Sequence, residues 1–154
     1  MLIELFLVRF KISNKTTLGK LIGFQGRAFG RETPKYLTIM LDVDAPKLYG
    51  LDKVNFTEKV YVLEGPLDSM FIDNSIAMAG ADASGLDKLS STNEYIFVYD
   101  NEPRSPEIVK RMKRHINNND AIVIWPNNIG EKDINDMIMS GKSKSEIMNI
   151  ISNN

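Results

Sequence analysis

Residues 60–69, VYVLEGPLDS, begin like a buried β-strand and end in a way that leaves an acid at the strand tip. The apolar run Val60–Leu63 is typical of a strand, and Gly65-Pro66 interrupts it directly after Glu64. Proline suits the first position of a helix, because the N–H that it lacks would have no intrahelical partner there. The stretch therefore predicts a strand, a tight bend made possible by Gly65, and a short helix.

The same alternation continues through the rest of the chain. Further apolar runs at 75–80, 95–100 and 121–126 are typical of buried strands. Five helices are predicted between and after these strands. The first is short, with Leu67, Met70 and Phe71 on one face, and the second is weak and lies near 82–90. The third spans 104–117 with Ile108, Met112 and Ile116 on one face, the fourth lies within 133–139, and a Ser143–Glu146 capping box begins the C-terminal helix. Apolar strands alternating with helices predict an α/β fold, a mostly parallel sheet flanked by helices.

The N-terminal part has a different pattern. Residues 3–12 and 20–24 predict a β-hairpin, residues 38–42 a further strand, and residues 45–59 irregular structure. The opening MLIELFLVRFK is apolar, but Glu4 and Arg9 interrupt it and it is far shorter than the roughly 20 residues that span a bilayer. We therefore expect a strand of a cytoplasmic protein, with no membrane partner.

Composition restricts the kind of site that the chain can build. The 154 residues carry a net charge of −1, with 43% hydrophobic and 25% charged residues, which is ordinary for one compact globular unit. The absence of cysteine excludes disulfides and thiolate zinc sites, and one histidine is too few for a histidine-built metal site. Any metal would be a hard, oxygen-ligated ion such as Mg²⁺ or Mn²⁺.

Acids follow three of the four strands predicted after residue 58. The six are Glu64 and Asp68, Asp100 and Glu102, and Asp133 and Asp136. Each alone is typical of a helix N-cap or a turn. Parallel strands bring their carboxyl ends to one edge of a sheet, however, and several carboxylates crowded there repel one another unless a cation lies among them. Paired hard cations held by carboxylates serve phosphoryl and nucleotidyl transfer, so the pattern predicts such a site.

Several of these stretches resemble a known family. VYVLEGPLDSMFI resembles the first motif of the Toprim domain, in which Glu-Gly ends a strand and an Asp follows four residues after the Glu. IFVYDNE resembles the second motif, normally Asp-x-Asp, and GEKDINDMI resembles the stretch that follows the next strand in primases. The upstream GKLIGFQGRAFG, TPKYL and KLYGL are similar to the segment that precedes Toprim in bacterial-type DNA primases, with the T-even-like phage primases most similar. The resemblance covers roughly residues 18–140.

The resemblance implies a division and an activity. Residues 1–57 would be the β-rich segment before Toprim, and residues 58–154 the Toprim domain. The activity would be template-directed synthesis of RNA primers on single-stranded DNA from ribonucleoside triphosphates. The implied catalytic residues are Glu64, Asp100 and Glu102. The same three and Asp133 would bind Mg²⁺ or Mn²⁺, with Glu64 acting as a ligand or as a base, and Asp68 and Asp136 would support them. Template or nucleotide would be bound by Arg27, Lys35 and Lys132.

Two departures from the family pattern keep alternatives open. The second motif reads Asp100-Asn101-Glu102, and the zinc-binding region that precedes the hairpin in primases is not in this sequence. We therefore expect a split gene with a zinc-domain partner subunit, or a reduced or excised piece, acting beside a replicative helicase. The alternatives are a Toprim-fold nuclease, a non-catalytic DNA-binding subunit, or an unrelated doubly wound domain.

Three further residues or stretches are interpreted as structural. The basic stretch VKRMKRH at 109–115 predicts the polar outer face of a helix. His115 is expected on the helix surface or at its boundary, and Trp125 in the core.

Overall fold

The computed structural model describes residues 3–10, 20–28, 33, 36–79, 86 and 94–154. The elements in this part of the chain are β1 (Ile3–Phe10), β2 (Lys20–Ala28), β3 (Tyr36–Met40), β4 (Leu48–Tyr49), β5 (Val60–Leu63), α1 (Pro66–Ser69), β6 (Ser75–Met78), β7 (Tyr95–Val98), α2 (Pro106–Asn117), β8 (Ala121–Ile122), α3 (Ile134–Met139) and α4 (Lys144–Ser152). Among these residues, none of the helices is both long and apolar enough to cross a bilayer.

The N-terminal strands form an antiparallel sheet in the order β1-β2-β3. The predicted hairpin is therefore confirmed, with a second strand that extends to Ala28, beyond the expected residue 24. The strand expected at 38–42 begins earlier, at Tyr36, because its pairing with β2 starts opposite Arg27.

The second sheet has the order β4-β6-β5-β7-β8. β5 lies parallel to both β6 and β7, and β7 lies parallel to β8, while β4 pairs antiparallel at the edge. The prediction of a mostly parallel α/β sheet is confirmed. β8 spans only two residues of the predicted run 121–126, and β4 falls in the segment expected to be irregular.

Helices and loops cover both faces of this sheet, because the central strands send alternate side chains to opposite sides. One apolar layer contains Leu63, Ala77 and Val98 with side chains of α3 and α4, and the other contains Val62, Ile76 and Phe97 with Ile108 of α2. Each fully buried side chain of this size contributes about 1.5–3 kcal/mol, so the layers hold the strand ends in fixed positions.

A small polar contact joins the two sheets. The Gln25 side-chain amide donates to the Ala79 carbonyl at 3.1 Å and to the Thr38 hydroxyl at 2.9 Å, and that hydroxyl also donates to Ala79. β4 pairs with β6 although it lies within the predicted segment 1–57. The division into 1–57 and 58–154 stays a prediction.

The predicted inward face of α2 is wrong. In α2 the inward stripe runs through Ile108, Met112 and His115, whereas Ile116 is 55% exposed. His115 is buried, with its ring stacked on Phe97 at a centroid distance of 3.7 Å and Nδ1 2.7 Å from Oδ2 of Asp120. The expected position on the helix surface or at its boundary is therefore wrong, since a histidine whose polar edge is hydrogen-bonded can pack its ring in a core.

The helix after Pro66 is also shorter than its predicted apolar face. α1 ends at Ser69, so Met70 lies beyond the helix and is 51% exposed, while Phe71 packs against the core. The weak helix predicted near 82–90 lies outside the described residues except for Leu86. The capping box of α4 is present as predicted, with the Ser143 hydroxyl and the Glu146 carboxylate each accepting from the other's backbone N–H.

Candidate active site

The ends of two neighbouring parallel strands deliver the first two acids. Glu64 follows β5 directly and Asp100 lies two residues beyond β7, and the backbone N–H of Asp100 donates to the Glu64 carboxylate. Both open into one pocket with an empty volume of about 190 Å³. The pocket is lined by Leu63, Glu64, Asp68, Val98, Tyr99, Asp100, Trp125, Asp133 and Ile134. Four of the six predicted acids therefore meet in one place.

Asp68 reaches the pocket from α1 and is tied to a distant helix. Its Oδ1 accepts a hydrogen bond from the backbone N–H of Asn135 at 2.9 Å, which links α1 to the start of α3. A Cβ at Gly65 would lie 2.8 Å from Asp68 Oδ2. The Gly65 backbone is extended, with φ −115°, so the bend that the sequence predicted there does not require glycine. The absence of a side chain is what leaves room for the Asp68 carboxylate.

Asp133 lines the pocket and also begins α3. Its side chain caps the helix by accepting from the backbone N–H of Asp136 at 2.7 Å. Asp136 itself is exposed in the first turn, where a negative charge favours the helix dipole, and it does not line the pocket. Glu102 is also absent from the pocket lining, but its carboxylate is near enough to raise the pKa of Glu64.

Asn101 holds the loop before α3 against the end of β7. Its side-chain amide donates to the carbonyls of Ile129 and Glu131 at 2.9 and 3.0 Å, and its backbone N–H donates to the Lys132 carbonyl at 2.6 Å. These bonds position Lys132 and Asp133 beside Asp100. In the sequence Asn101 is only the middle residue of an Asp-x-Asp-like motif, although asparagine side chains commonly form hydrogen bonds to backbone groups in turns.

Two cations pair with the acids. Nη1 of Arg111 lies 2.7 Å from Oε1 of Glu64, and Nζ of Lys132 lies 3.0 Å from Oε1 of Glu102 and 3.6 Å from Oδ2 of Asp100. Arg111 belongs to the basic stretch expected on the outer face of α2, so for this residue the expectation is wrong. Its position three residues after Ile108 places it beside the buried stripe, but the predicted apolar face of α2 did not indicate this.

Burial and mutual repulsion disfavour the ionised acids. Burial, the Glu64 carboxylate and the Asp68 carboxylate together raise the pKa of Asp100 to about 7, against the opposing effect of Lys132. Burial also raises the pKa of Glu64, and the Arg111 guanidinium limits that increase. The pocket therefore concentrates negative charge that an additional cation would relieve.

The chemistry of these donors fits a hard divalent ion. All are carboxylate oxygens, the ligand type that Mg²⁺ and Mn²⁺ prefer. Among the residues that the structure describes, no three acids are already arranged to hold an ion, and several of them contact protein groups instead. Metal binding would require those contacts to rearrange.

Arg27, Lys35 and Trp125 are the remaining residues on which the sequence made a prediction. Arg27 lies in β2, but its side chain is outside the described part, and Lys35 lies outside the described residues altogether. Trp125 packs partly against the core, as expected, with its indole N–H donating to the Tyr99 carbonyl at 2.7 Å, and it also lines the pocket. The functional roles of all these residues stay predictions.

Comparison with known proteins relates the chain to primases. It is 40% identical over 139 residues to the DNA primase of Enterobacteria phage T4, an alignment that covers 88% of this chain and 40% of that protein. No family model matches. The chain therefore spans less than half of its curated relative.

Solved structures share the fold. The E. coli primase catalytic core superposes with a TM-score of 0.66 at 20% identity, over 98% of this chain and 52% of that one. A DNA primase domain from Pseudomonas aeruginosa gives a TM-score of 0.69 at 21% identity, over 96% and 50%. A DnaG primase catalytic domain bound to single-stranded DNA gives 0.64 at 20% identity, over 98% and 52%. The chain is therefore similar in sequence to a part of a phage DNA primase, and it shares the fold of the solved primase catalytic cores.

Proposed function

We propose that this chain carries the metal-dependent nucleotidyl-transfer site of a primase, which synthesises RNA primers on single-stranded DNA. The observation that carries the proposal is the convergence of Glu64, Asp68, Asp100 and Asp133 in one pocket at the carboxyl ends of parallel strands. The identity to T4 primase and the DnaG domain bound to single-stranded DNA support the substrate class.

The proposed roles of the site residues follow from their positions. Asp100, Glu102 and Asp133, with Glu64, would hold Mg²⁺ or Mn²⁺, and Asp68 and Asp136 would support them. A bound divalent cation would neutralise charge on the triphosphate and the departing pyrophosphate. Glu64, largely buried and with a raised pKa, is suited to accept a proton from the attacking 3′-hydroxyl where it is not itself a ligand.

Template and nucleotide would be bound by cations around this pocket. Lys132 is 53% exposed beside Asp100 and Glu102, so its ammonium can exchange a carboxylate for a phosphate. Arg27 and Lys35 would extend the binding surface from the N-terminal sheet. Phosphate contacts of this kind supply most of the affinity for single strands.

We further propose that the chain acts with a zinc-domain primase polypeptide and a replicative helicase in the host cytoplasm. The chain spans 40% of the T4 primase and contains no cysteine. Leu37 and Ile39 of β3, with Leu41 directly after it, are between 40% and 60% exposed, which is apolar surface suited to contact with that polypeptide.

The test is RNA synthesis on single-stranded DNA with four ribonucleotides and Mg²⁺ or Mn²⁺. The chain is assayed alone and together with a polypeptide that supplies the zinc domain and the rest of the catalytic region. Glu64→Gln and Asp100→Asn should each abolish synthesis, whereas Glu94→Gln, an exposed acid paired with Lys59, should not change it. Synthesis that survives the Glu64 and Asp100 changes combined would overturn the site.

One observation favours a second function, a non-catalytic DNA-binding subunit. The described acids already have protein partners, with Arg111 on Glu64 and Lys132 on Asp100 and Glu102. The same preparation would then bind single-stranded DNA with undiminished affinity after Glu64→Gln, and it would make no RNA under any of the conditions above.

A further inference from the structure

Arg111 lies on α2 beside the face that packs on the sheet, and its side chain reaches Glu64 in the site. It lies one helical turn after Ile108, which is buried in the layer beside β5 and β7. Its guanidinium reaches Oε1 of Glu64 at 2.7 Å, and the two side chains are 34% and 19% exposed. The pair is therefore partly shielded from solvent, unlike the exposed Lys59–Glu94 pair, whose side chains are 61% and 57% exposed.

The contact uses the same carboxylate that the proposed function assigns to a divalent cation. Two cations cannot share one oxygen at bonding distance without strong repulsion, because little water lies between them to screen it. Lys132 occupies a comparable position on Glu102, but its side chain is 53% exposed and free to swing into solvent. Arg111 is anchored on a packed helix, so its release from Glu64 is the more demanding step.

We propose that Arg111 is a built-in competitor of the divalent cation, which holds Glu64 in the metal-free protein and must release it for the cation to bind. Arg111 is thus a positioning residue whose strength of pairing sets the affinity of the site. The inference rests on the proposed metal site, and it makes a prediction that loss of structure cannot imitate. Removal of Arg111 should strengthen metal binding.

The experiment measures Mn²⁺ binding without nucleotide or DNA. Free Mn²⁺ is quantified by electron paramagnetic resonance, and quenching of Trp125, which lines the pocket and is the one tryptophan of the sequence, gives a second readout. Arg111→Gln should lower the Kd for Mn²⁺ by about tenfold, which is the size expected for one charged hydrogen bond. Arg111→Lys, which keeps the charge, should remain within about twofold of the unsubstituted chain.

Arg114→Gln is the matched control, because it removes the same charge from the exposed face of the same helix. Equal tightening by Arg111→Gln and Arg114→Gln would overturn the proposal, since the effect would then be general electrostatics. Unchanged or weaker binding by Arg111→Gln would also overturn it. An unsubstituted chain that binds no Mn²⁺ would instead refute the proposed metal site, which keeps the two failures distinguishable.

Thermal unfolding separates competition from a purely structural role. If Arg111 is replaced by the cation when metal binds, Arg111→Gln should destabilise the protein in chelator and should destabilise it less in saturating Mn²⁺. An equal loss of stability in both conditions would mean that the pair persists in the metal-bound protein, and the proposal would be wrong.

Discussion

At the scale of the residue, Gly65 shows how a motif can be predicted for the wrong reason. The sequence suggested a backbone requirement, but the conformation is one that any residue adopts, and the requirement is space for Asp68. The motif identifies the glycine, but the atom that leaves no room for a side chain at position 65 is Oδ2 of Asp68, three residues away in α1. The convergence of four acids could be predicted because all four follow strands of one parallel sheet, whereas the pairing of Arg111 with Glu64 across 47 residues could not.

Gly65→Ala should therefore displace the Asp68 carboxylate and weaken its bond to the Asn135 amide. We expect a loss of about 0.5–1.5 kcal/mol in the free energy of unfolding, the size of one hydrogen bond, because the displaced atom is the end of a movable side chain, together with weaker Mn²⁺ binding. Urea unfolding and Mn²⁺ titration check this. Gly130→Ala is the control, since a Cβ there meets nothing within 4 Å, and equal losses in both variants would contradict the explanation.

The raised pKa of Asp100 predicts that the stability of the metal-free protein depends on pH in an unusual way. Its pKa is raised to about 7, so between pH of about 4 and 7 the folded chain binds a proton that the unfolded chain releases. The Asp100 contribution to the free energy of unfolding therefore decreases as pH rises through this interval and is constant above it.

Asp100→Asn should remove that part of the pH dependence. In chelator at pH 8 the variant should be more stable than the unsubstituted chain, and the difference should shrink as the pH falls toward about 4, because Asp100 of the folded chain is then neutral. Urea unfolding at a series of pH values measures it. The control is Asp73→Asn, which changes an exposed acid that follows α1 and pairs with Lys144. A variant equally or less stable at pH 8 would contradict the raised pKa.

At the scale of the element, periodicity predicted the presence of α2 but not its rotation about its axis. Ile108, Met112 and Ile116 satisfy the spacing of an apolar face as well as the true stripe does. The actual stripe includes His115, because stacking on Phe97 and bonding to Asp120 remove the penalty of burying a polar ring. Partners from other elements decide such a choice, so a single sequence does not contain the answer. The same rotation carries Arg111 toward Glu64.

The loop before α3 depends on Asn101 in a comparable way. Asn101→Ala should leave the Ile129 and Glu131 carbonyls without their side-chain donor and should release the segment that carries Lys132 and Asp133. We expect a loss of about 1–3 kcal/mol in the free energy of unfolding and faster amide hydrogen exchange at residues 129–133. The exposed Asn127 gives the control substitution to alanine. Unchanged exchange in this segment would contradict the positioning role.

At the scale of the whole molecule, the proposed binding of single-stranded DNA would have to occur in a chain with a net charge of −1. The acidic pocket repels phosphate, so favourable contacts have to come from a few local cations. Lys132 lies at the boundary, since it neutralises Glu102 and Asp100 and is still half-exposed. Its removal would subtract a phosphate contact and at the same time leave two carboxylates without their cation.

Lys132→Ala should therefore weaken binding to an oligonucleotide more than a single lost contact would. Binding measured by fluorescence anisotropy over a range of salt concentrations should show a higher Kd at every concentration. The slope of log Kd against log salt should fall by about 0.7, the value for one phosphate on a single strand. Lys144→Ala removes a lysine paired with Asp73 on α4 and should change neither quantity. An unchanged slope in Lys132→Ala would mean that Lys132 serves the carboxylates alone, and the template would then have to be held by cations of the N-terminal sheet.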